Sequence, residues 1–305
     1  MKSSLEHLPE RKQSELARIV EILHEEFADA LKGGTAEFKK SGRILKIILF
    51  GSYARGTWVD EPHTAKGYRS DYDLLIIVNN RKLADAKYWS KAKDRLLYDQ
   101  RIGTPLSPIV HSRREINSFL HEGQYFFSEI RRDGIVLYEL DNEQLPEPKA
   151  LTATDSFRIA KEHFEDRLHH AKVFAKTARF CFEERDFKEA AFLLHQSIEQ
   201  TYATLLLVLT NYSPPTHNLN ELRGRAEGQD RQLADAWPRD RQRHTAWFNM
   251  INEAYVKARY SPHYEISEEA LTWLLERTAV LQNMIEADCI EHLGKLADAV
   301  AKEKK

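Results

Sequence analysis

The chain has 305 residues, 42% of them hydrophobic and 30% charged, and a formal net charge of -2. That length accommodates two domains with separate cores, and the composition is that of a soluble globular protein. The near-neutral charge excludes a globally basic nucleic-acid binder and leaves room only for a local basic groove. Cys181 and Cys289 lie in helical, partly apolar patterns and read as packed, reduced thiols, which points to a cytoplasmic protein. No apolar run approaches the roughly 18 residues a membrane span needs. Met1 to Arg11 is polar where a secretory leader would be apolar, so no membrane association is expected.

Taken in order, Leu16, Ile19, Val20, Leu23, Phe27 and Leu31 recur at helical spacing, and Gly33-Gly34 ends that helix. Ile44 to Phe50 is an apolar strand that runs into Gly51-Ser52, a turn opening a short helix. Trp58 to Arg69 is a polar insert containing Pro62 and Gly67, and Asp71 to Val78 is a second strand, apolar on both faces beyond its aspartates. The pattern predicts a helix over Lys82 to Tyr98, a strand over Leu106 to His111, and a helix capped by Ser112. A further helical turn, the Asp133-Gly134 turn and the apolar run Ile135 to Tyr138 complete a mixed α/β domain over residues 1–140.

Residues 141–155 lose all periodicity, carry Pro146 and Pro148, and read as a linker. Residues 156–295 are helical throughout. Stripes through Phe157 to Phe182 and Phe187 to Leu209 precede Pro214-Pro215, followed by helices over Asn218 to Glu227, His244 to Ala258, and from Ser267 onward. This second domain is an all-α bundle, followed by a charged tail over 296–305, which makes the fold class α+β.

The chemistry concentrates between Ile47 and Val78. A Gly-Ser turn lets the backbone approach phosphate oxygens, and the helix behind it aims free N–H groups at them. Asp71 and Asp73 stand two residues apart on a strand, so both carboxylates leave one face and can share divalent metal ions. Two carboxylates opening a buried strand repel each other unless something positive sits between them.

An apolar strand ending in G-S-Y-A-R-G, followed by S-D-Y-D-L on a second strand, resembles the minimal nucleotidyltransferases of the DNA polymerase β superfamily. The resemblance spans Ile44 to Tyr138. It implies that Gly51 and Ser52 hold a triphosphate, that Asp71 and Asp73 are catalytic metal ligands for Mg²⁺ (or Mn²⁺), and that the substrate is an NTP, taken as ATP. Arg55, one helical turn past Ser52, either contacts phosphate or faces solvent. The family often carries a third carboxylate on the next strand, but Leu106 to Ser112 reads L-S-P-I-V-H-S. Glu115 and Glu129 are candidate replacements, and His111 at the strand end is either a base or an exposed residue. In the insert, Asp60, Glu61, His63, Lys66 and Arg69 form a mobile lid with Lys66 or Arg69 on phosphate, or a solvated loop.

The helical half, with H-Q-S-I-E-Q at His195 to Gln200, N-Y-S-P-P-T-H-N-L-N-E-L at Asn211 to Leu222 and Y-V-K-A-R-Y-S-P-H-Y-E-I-S at Tyr255 to Ser267, is similar to HEPN domains. Some of these are metal-independent ribonucleases that use an Arg and a His with four to six residues between them at a dimer interface. Arg259 and His263 are the candidates here, but only three residues intervene, and Pro262 ends the helix near Ser261. Alternatively Arg259 and His263 cap a helix corner over core-packed Tyr260 and Tyr264, while His217 orders the loop before the next helix. The leading expectation is Mg²⁺-dependent transfer of NMP to a hydroxyl of a small molecule or protein, by a homodimer. The alternatives are a toxin–antitoxin-like unit, in which an RNA-cleaving HEPN half is silenced by the transferase half, and a nucleotide-binding module without turnover.

Overall fold

A computed structural model describes residues 1–60 and 69–303. The chain divides into two compact units, one of Met1–Asp60 with Arg69–Ala150 and a second from Leu151 onward. No helix among the described residues is long and apolar enough to cross a membrane.

The first unit is built on four strands, β1 (Ile44–Phe50), β2 (Tyr72–Val78), β3 (Leu106–Ser112) and β4 (Ile135–Glu139), in the order β3-β2-β1-β4. β1 runs antiparallel to β2 and β4, and β2 runs parallel to β3, so the sheet is mixed. The two central strands are apolar on both faces because both faces are covered. Alternation sends Tyr72, Leu74, Ile76 and Val78, with Ile47 and Leu49 of β1, into a core shared with Leu16, Ile19 and Leu23 of α1 (Glu10–Leu31). The opposite face carries Asp73, and further along it is covered by α5 (Arg113–His121) and α6 (Tyr125–Asp133). Two short helices, α2 (Glu37–Lys40) and α3 (Gly51–Arg55), flank β1, and α4 (Ser90–Tyr98) joins α1. Ser112 caps α5 as expected and closes a capping box with Glu115.

One segment departs from its pattern. The helix expected over Lys82 to Tyr98 begins as two separate 3₁₀ turns, Arg81–Ala84 and Ala86–Tyr88, and is α-helical only from Ser90. Asn80 and Asp85 are the cause: their side chains accept from the Lys82 and Lys87 N–H groups, offering the backbone local bonds that compete with a continuous helix.

The second unit contains α7 (Ala153–Glu183), α8 (Phe187–Thr210), α9 (Leu219–Gln229), α10 (Gln242–Tyr260) and α11 (Glu268–Glu303). Thr152 caps α7 through the Asp155 N–H, and Asn211, at φ 55, ends α8 in the left-handed conformation before Pro214. Leu194, Ile198, Leu205, Leu271, Leu274 and Ile285 anchor the core. α11 continues through half-buried Leu293 and Leu296 to Glu303, so residues 296–303 extend the helix where a charged tail was expected.

Candidate active site

β1 delivers the chain to Gly51, where φ is +73. Only glycine adopts that conformation without a Cβ penalty. A second constraint reinforces it, since a Cβ on Gly51 would run into the carboxylate of Asp73. The contact follows from register: Phe50 is the antiparallel partner of Asp73, so the turn leaving β1 meets the carboxylate opening β2. Ser52 follows in α3, which Gly56 terminates in the left-handed region at φ 78, its N–H bonded to the Ser52 carbonyl. Arg55 lies exposed in the last turn of α3. Asp133 is held below the usual carboxylate range, first by its hydrogen bond from Arg132, with Lys2 and Arg55 adding smaller attractions.

Asp71 and Asp73 are half-buried. The Ser107 hydroxyl on β3 donates to Asp71 Oδ2 at 2.8 Å, and Ser107 is the parallel register partner of Asp73. Sequence inspection missed Ser107, which occupies the neighbouring strand where a third carboxylate was sought. The alternation of β3 puts position 107 on the aspartate face, and that was the available signal. Among the described residues no three His, Cys, Asp or Glu side chains gather to hold a metal. Glu115 is committed to Ser112 and to Arg81 at 3.0 Å, while Glu129 lies 3.5 Å from Arg132. His111 shares the aspartate face but lies four residues beyond Ser107, ~13 Å at the usual strand rise. It is buried rather than exposed, standing edge-on to Phe119 and Phe127. Two carboxylates, one with the Ser107 hydroxyl beside it and the other against the Gly51 turn, nevertheless fit Mg²⁺. That ion is commonly bound by one or two carboxylates plus substrate phosphates.

Comparison with known proteins gives the same reading. The nucleotidyltransferase domain family model matches residues 34–126, and the HEPN domain model matches residues 164–287. A curated relative from Methanocaldococcus jannaschii, named "Putative protein adenylyltransferase", is 35% identical over 113 residues, covering 37% of this chain and 92% of the relative. The chain belongs to the nucleotidyltransferase family and carries a HEPN domain. It is an enzyme of nucleoside monophosphate transfer.

In this nucleotidyltransferase the two ends of the insert are tied together. Asp60 and Arg69 form an isolated antiparallel bridge, and the Ser70 N–H donates to the Val59 carbonyl at 2.8 Å. Arg69 donates to Asp60 at 2.9 Å and to the Gly103 carbonyl at 2.7 Å, so its guanidinium holds the neck of the insert. The candidates Glu61, His63 and Lys66 lie outside the described residues.

In the HEPN domain, α10 stops at Tyr260 and Ser261 is extended before Pro262. The Arg259 guanidinium lies over the rings of Tyr255, Tyr260 and Phe192 at 4.3, 4.9 and 5.1 Å. His263 is exposed in the turn, its N–H bonded to Ser261 Oγ at 3.3 Å. Tyr264 is buried, donates to the Met250 carbonyl, and is pushed up by burial, but Tyr260 is 73% exposed and is not a core residue. Its position at the last turn of α10 turns it outward. His217 and His195 both share the Tyr255 ring with Arg259, His217 stacked on it at 3.7 Å and donating to Glu199 at 2.9 Å, His195 tilted against it at 5.5 Å. His195 is buried beneath His217, pushed down to about 4 by burial, and its Nε2–H donates to the His217 carbonyl at 3.0 Å. The pair of His195 and Glu199 at helical spacing was the sequence signal for this cluster.

Proposed function

We propose that the enzyme transfers AMP from ATP to a hydroxyl of a protein side chain, with Mg²⁺ held by Asp71 and Asp73. The observation that carries this reading is the approach of the Asp73 carboxylate to Gly51, which brings a phosphate turn and a metal-binding carboxylate together. The choice of AMP and of a protein acceptor follows the printed name of the Methanocaldococcus jannaschii relative. Gly51 leaves space for phosphate oxygens that a side chain would fill, and Ser52 supplies a hydroxyl and an N–H beside them. Asp71, oriented by Ser107, and Asp73 supply negative oxygen ligands; bound there, Mg²⁺ would neutralise the charge that builds on the triphosphate. The acceptor oxygen bonds to the α-phosphorus, the α–β bridging P–O bond breaks, pyrophosphate leaves, and the acceptor proton passes to solvent.

The test is incubation of the full chain with α-labelled ATP and Mg²⁺, alone, with candidate protein acceptors, and with hydroxyl-bearing small molecules. Label on protein, accompanied by pyrophosphate and absent in Asp71→Asn/Asp73→Asn, supports the reading. Label confined to small molecules would replace the acceptor class. ATP binding without pyrophosphate in any arm would overturn turnover and favour a binding module.

A further inference from the structure

Directly behind the aspartates lies a buried polar network that the transfer chemistry does not use. Tyr72 sits between Asp71 and Asp73 and therefore points to the opposite sheet face, where it is fully buried and its hydroxyl donates to Glu15 Oε2 at 3.2 Å. Glu15, 1% exposed, also accepts from the Thr104 hydroxyl at 2.8 Å and from Arg11 at 3.1 Å. Lys12, one turn earlier on α1, donates to Thr104 Oγ1 at 2.6 Å and to Asp60 Oδ2 at 3.3 Å. Asp60 is in turn bonded to Arg69, and Arg69 to the carbonyl of Gly103.

Stability alone is a poor reason to keep such a network. Desolvating an acid and an amine costs several kcal/mol, and well-packed apolar replacements are often neutral or stabilising. What distinguishes this network is the set of segments it ties together. Lys12 and Glu15, from one helix, reach the neck of the insert at Asp60, the segment leading into β3 at Thr104, and the residue between the two aspartates. Those are the segments that present Asp71, Asp73 and Ser107.

We propose that Lys12 and Glu15 form a positioning clamp, which sets the Asp71–Asp73 segment, the start of β3 and the neck of the insert relative to one another. Its catalytic consequence rests on the transferase reading above; its structural consequence does not. Small displacements of groups that align reacting atoms are costly to rate, so the clamp acts on kcat more than on KM.

The experiment compares Lys12→Met, Thr104→Val and Tyr72→Phe with Arg18→Ala, a control on the same helix that removes a half-buried tie to Asp99 at 3.0 Å. Three quantities are read in the full chain: the melting temperature, hydrogen exchange along the first unit, and steady-state transfer with ATP. The clamp predicts that exchange at residues 57–60, 69–74 and 103–107 quickens about tenfold in the three test variants. The rest of the unit stays near wild type. It also predicts that kcat falls about tenfold with KM for ATP nearly unchanged, that Lys12→Arg restores both, and that Arg18→Ala does neither at a comparable loss of melting temperature. Exchange that is unchanged, or that quickens uniformly as in a merely destabilised unit, overturns the clamp. If wild type shows no transfer, the proposed function fails, and the exchange pattern still decides on the clamp.

Discussion

Each half of the molecule contains a pair of aspartates, and the two pairs handle the same electrostatic problem differently. Asp71 and Asp73 open β2, with one carboxylate against Gly51 and the other bonded to Ser107. In the HEPN domain, Asp288 on α11 faces Asp230, which caps the 3₁₀ turn Arg231–Ala236 by accepting from the Gln232 N–H at 2.9 Å. The Asp288 carboxyl is pushed up to about 6, by burial first and then by the charge of Asp230 and the hydrogen bond they share. Its Oδ2 is buried without a hydrogen-bond partner among the described residues. The second pair relieves repulsion by holding a proton up to about pH 6. The first pair is set in a different frame, one that faces a glycine turn, and in the proposed function a cation relieves the repulsion. Closeness of two carboxylates therefore does not define a metal site; what they face does.

The largest expected effect separates the pairs by activity. Asp73→Asn should lower transfer by about a thousandfold, as loss of a principal charge-stabilising ligand does. The melting temperature without metal should hold or rise, because one of two like charges is gone. Asp230→Asn should leave transfer near wild type. Pyrophosphate release and thermal melts measure both, and equal losses in the two variants would abolish the distinction.

Next in size is Gly51→Ala. The left-handed backbone disfavours any Cβ, and this Cβ collides with Asp73. A cost of about 1–3 kcal/mol in stability and roughly a hundredfold in kcat is expected. Gly228, where an added Cβ would meet nothing within 4 Å, provides the contrast: Gly228→Ala should be neutral or slightly stabilising in melting temperature.

These positions differ in how much of their role could be read before the fold was known. Gly51, Ser52, Asp71 and Asp73 were legible because one turn and one alternating strand define them locally. The helices of the second unit were legible for a similar reason, since apolar spacing decides them within a few turns. Ser107 and Glu15 were not. Ser107 acquires its meaning only from the parallel register that sets it across from Asp73. Glu15 sits beside Leu16 in an ordinary amphipathic stripe, and its partners Tyr72 and Thr104 lie 57 and 89 residues away. His217 was legible only as a loop residue, because its stacking partner Tyr255 comes from α10, far along the chain. Pairing across the fold, rather than residue type, carries that information.

Ser107 gives a subtler way to sharpen the comparison. Ser107→Ala removes the hydroxyl that orients Asp71, and supporting bonds of this kind are worth about tenfold or more in metal affinity. Titration with Mn²⁺ followed by electron paramagnetic resonance should show that loss with little change in melting temperature. Ser107→Asp adds a third carboxylate at the same place. It should melt lower than wild type in chelator and recover when Mg²⁺ is added, a metal dependence absent from Asp288 variants.

The smallest effect tests the proton held by the HEPN pair. Asp288 titrates near 3.8 when unfolded and at about 6 when folded, so between those values the folded chain binds more protons than the unfolded one. Stability from this group is fully present below the unfolded value and is lost as pH rises through about 6. Asp288→Asn keeps a hydrogen-bonding group that cannot ionise. The variant should therefore gain on wild type as pH rises from 4.5 to 7.5. Solvent near the half-buried carboxyl limits the gain to about 1 kcal/mol, or ~2–4 °C in melting temperature for a unit of this size. Adding Mg²⁺ at pH 7.5 should not change the difference. If Mg²⁺ stabilises wild type and not Asp288→Asn, the second pair is also a cation site, and the contrast between the two halves fails at its smallest and most sensitive point.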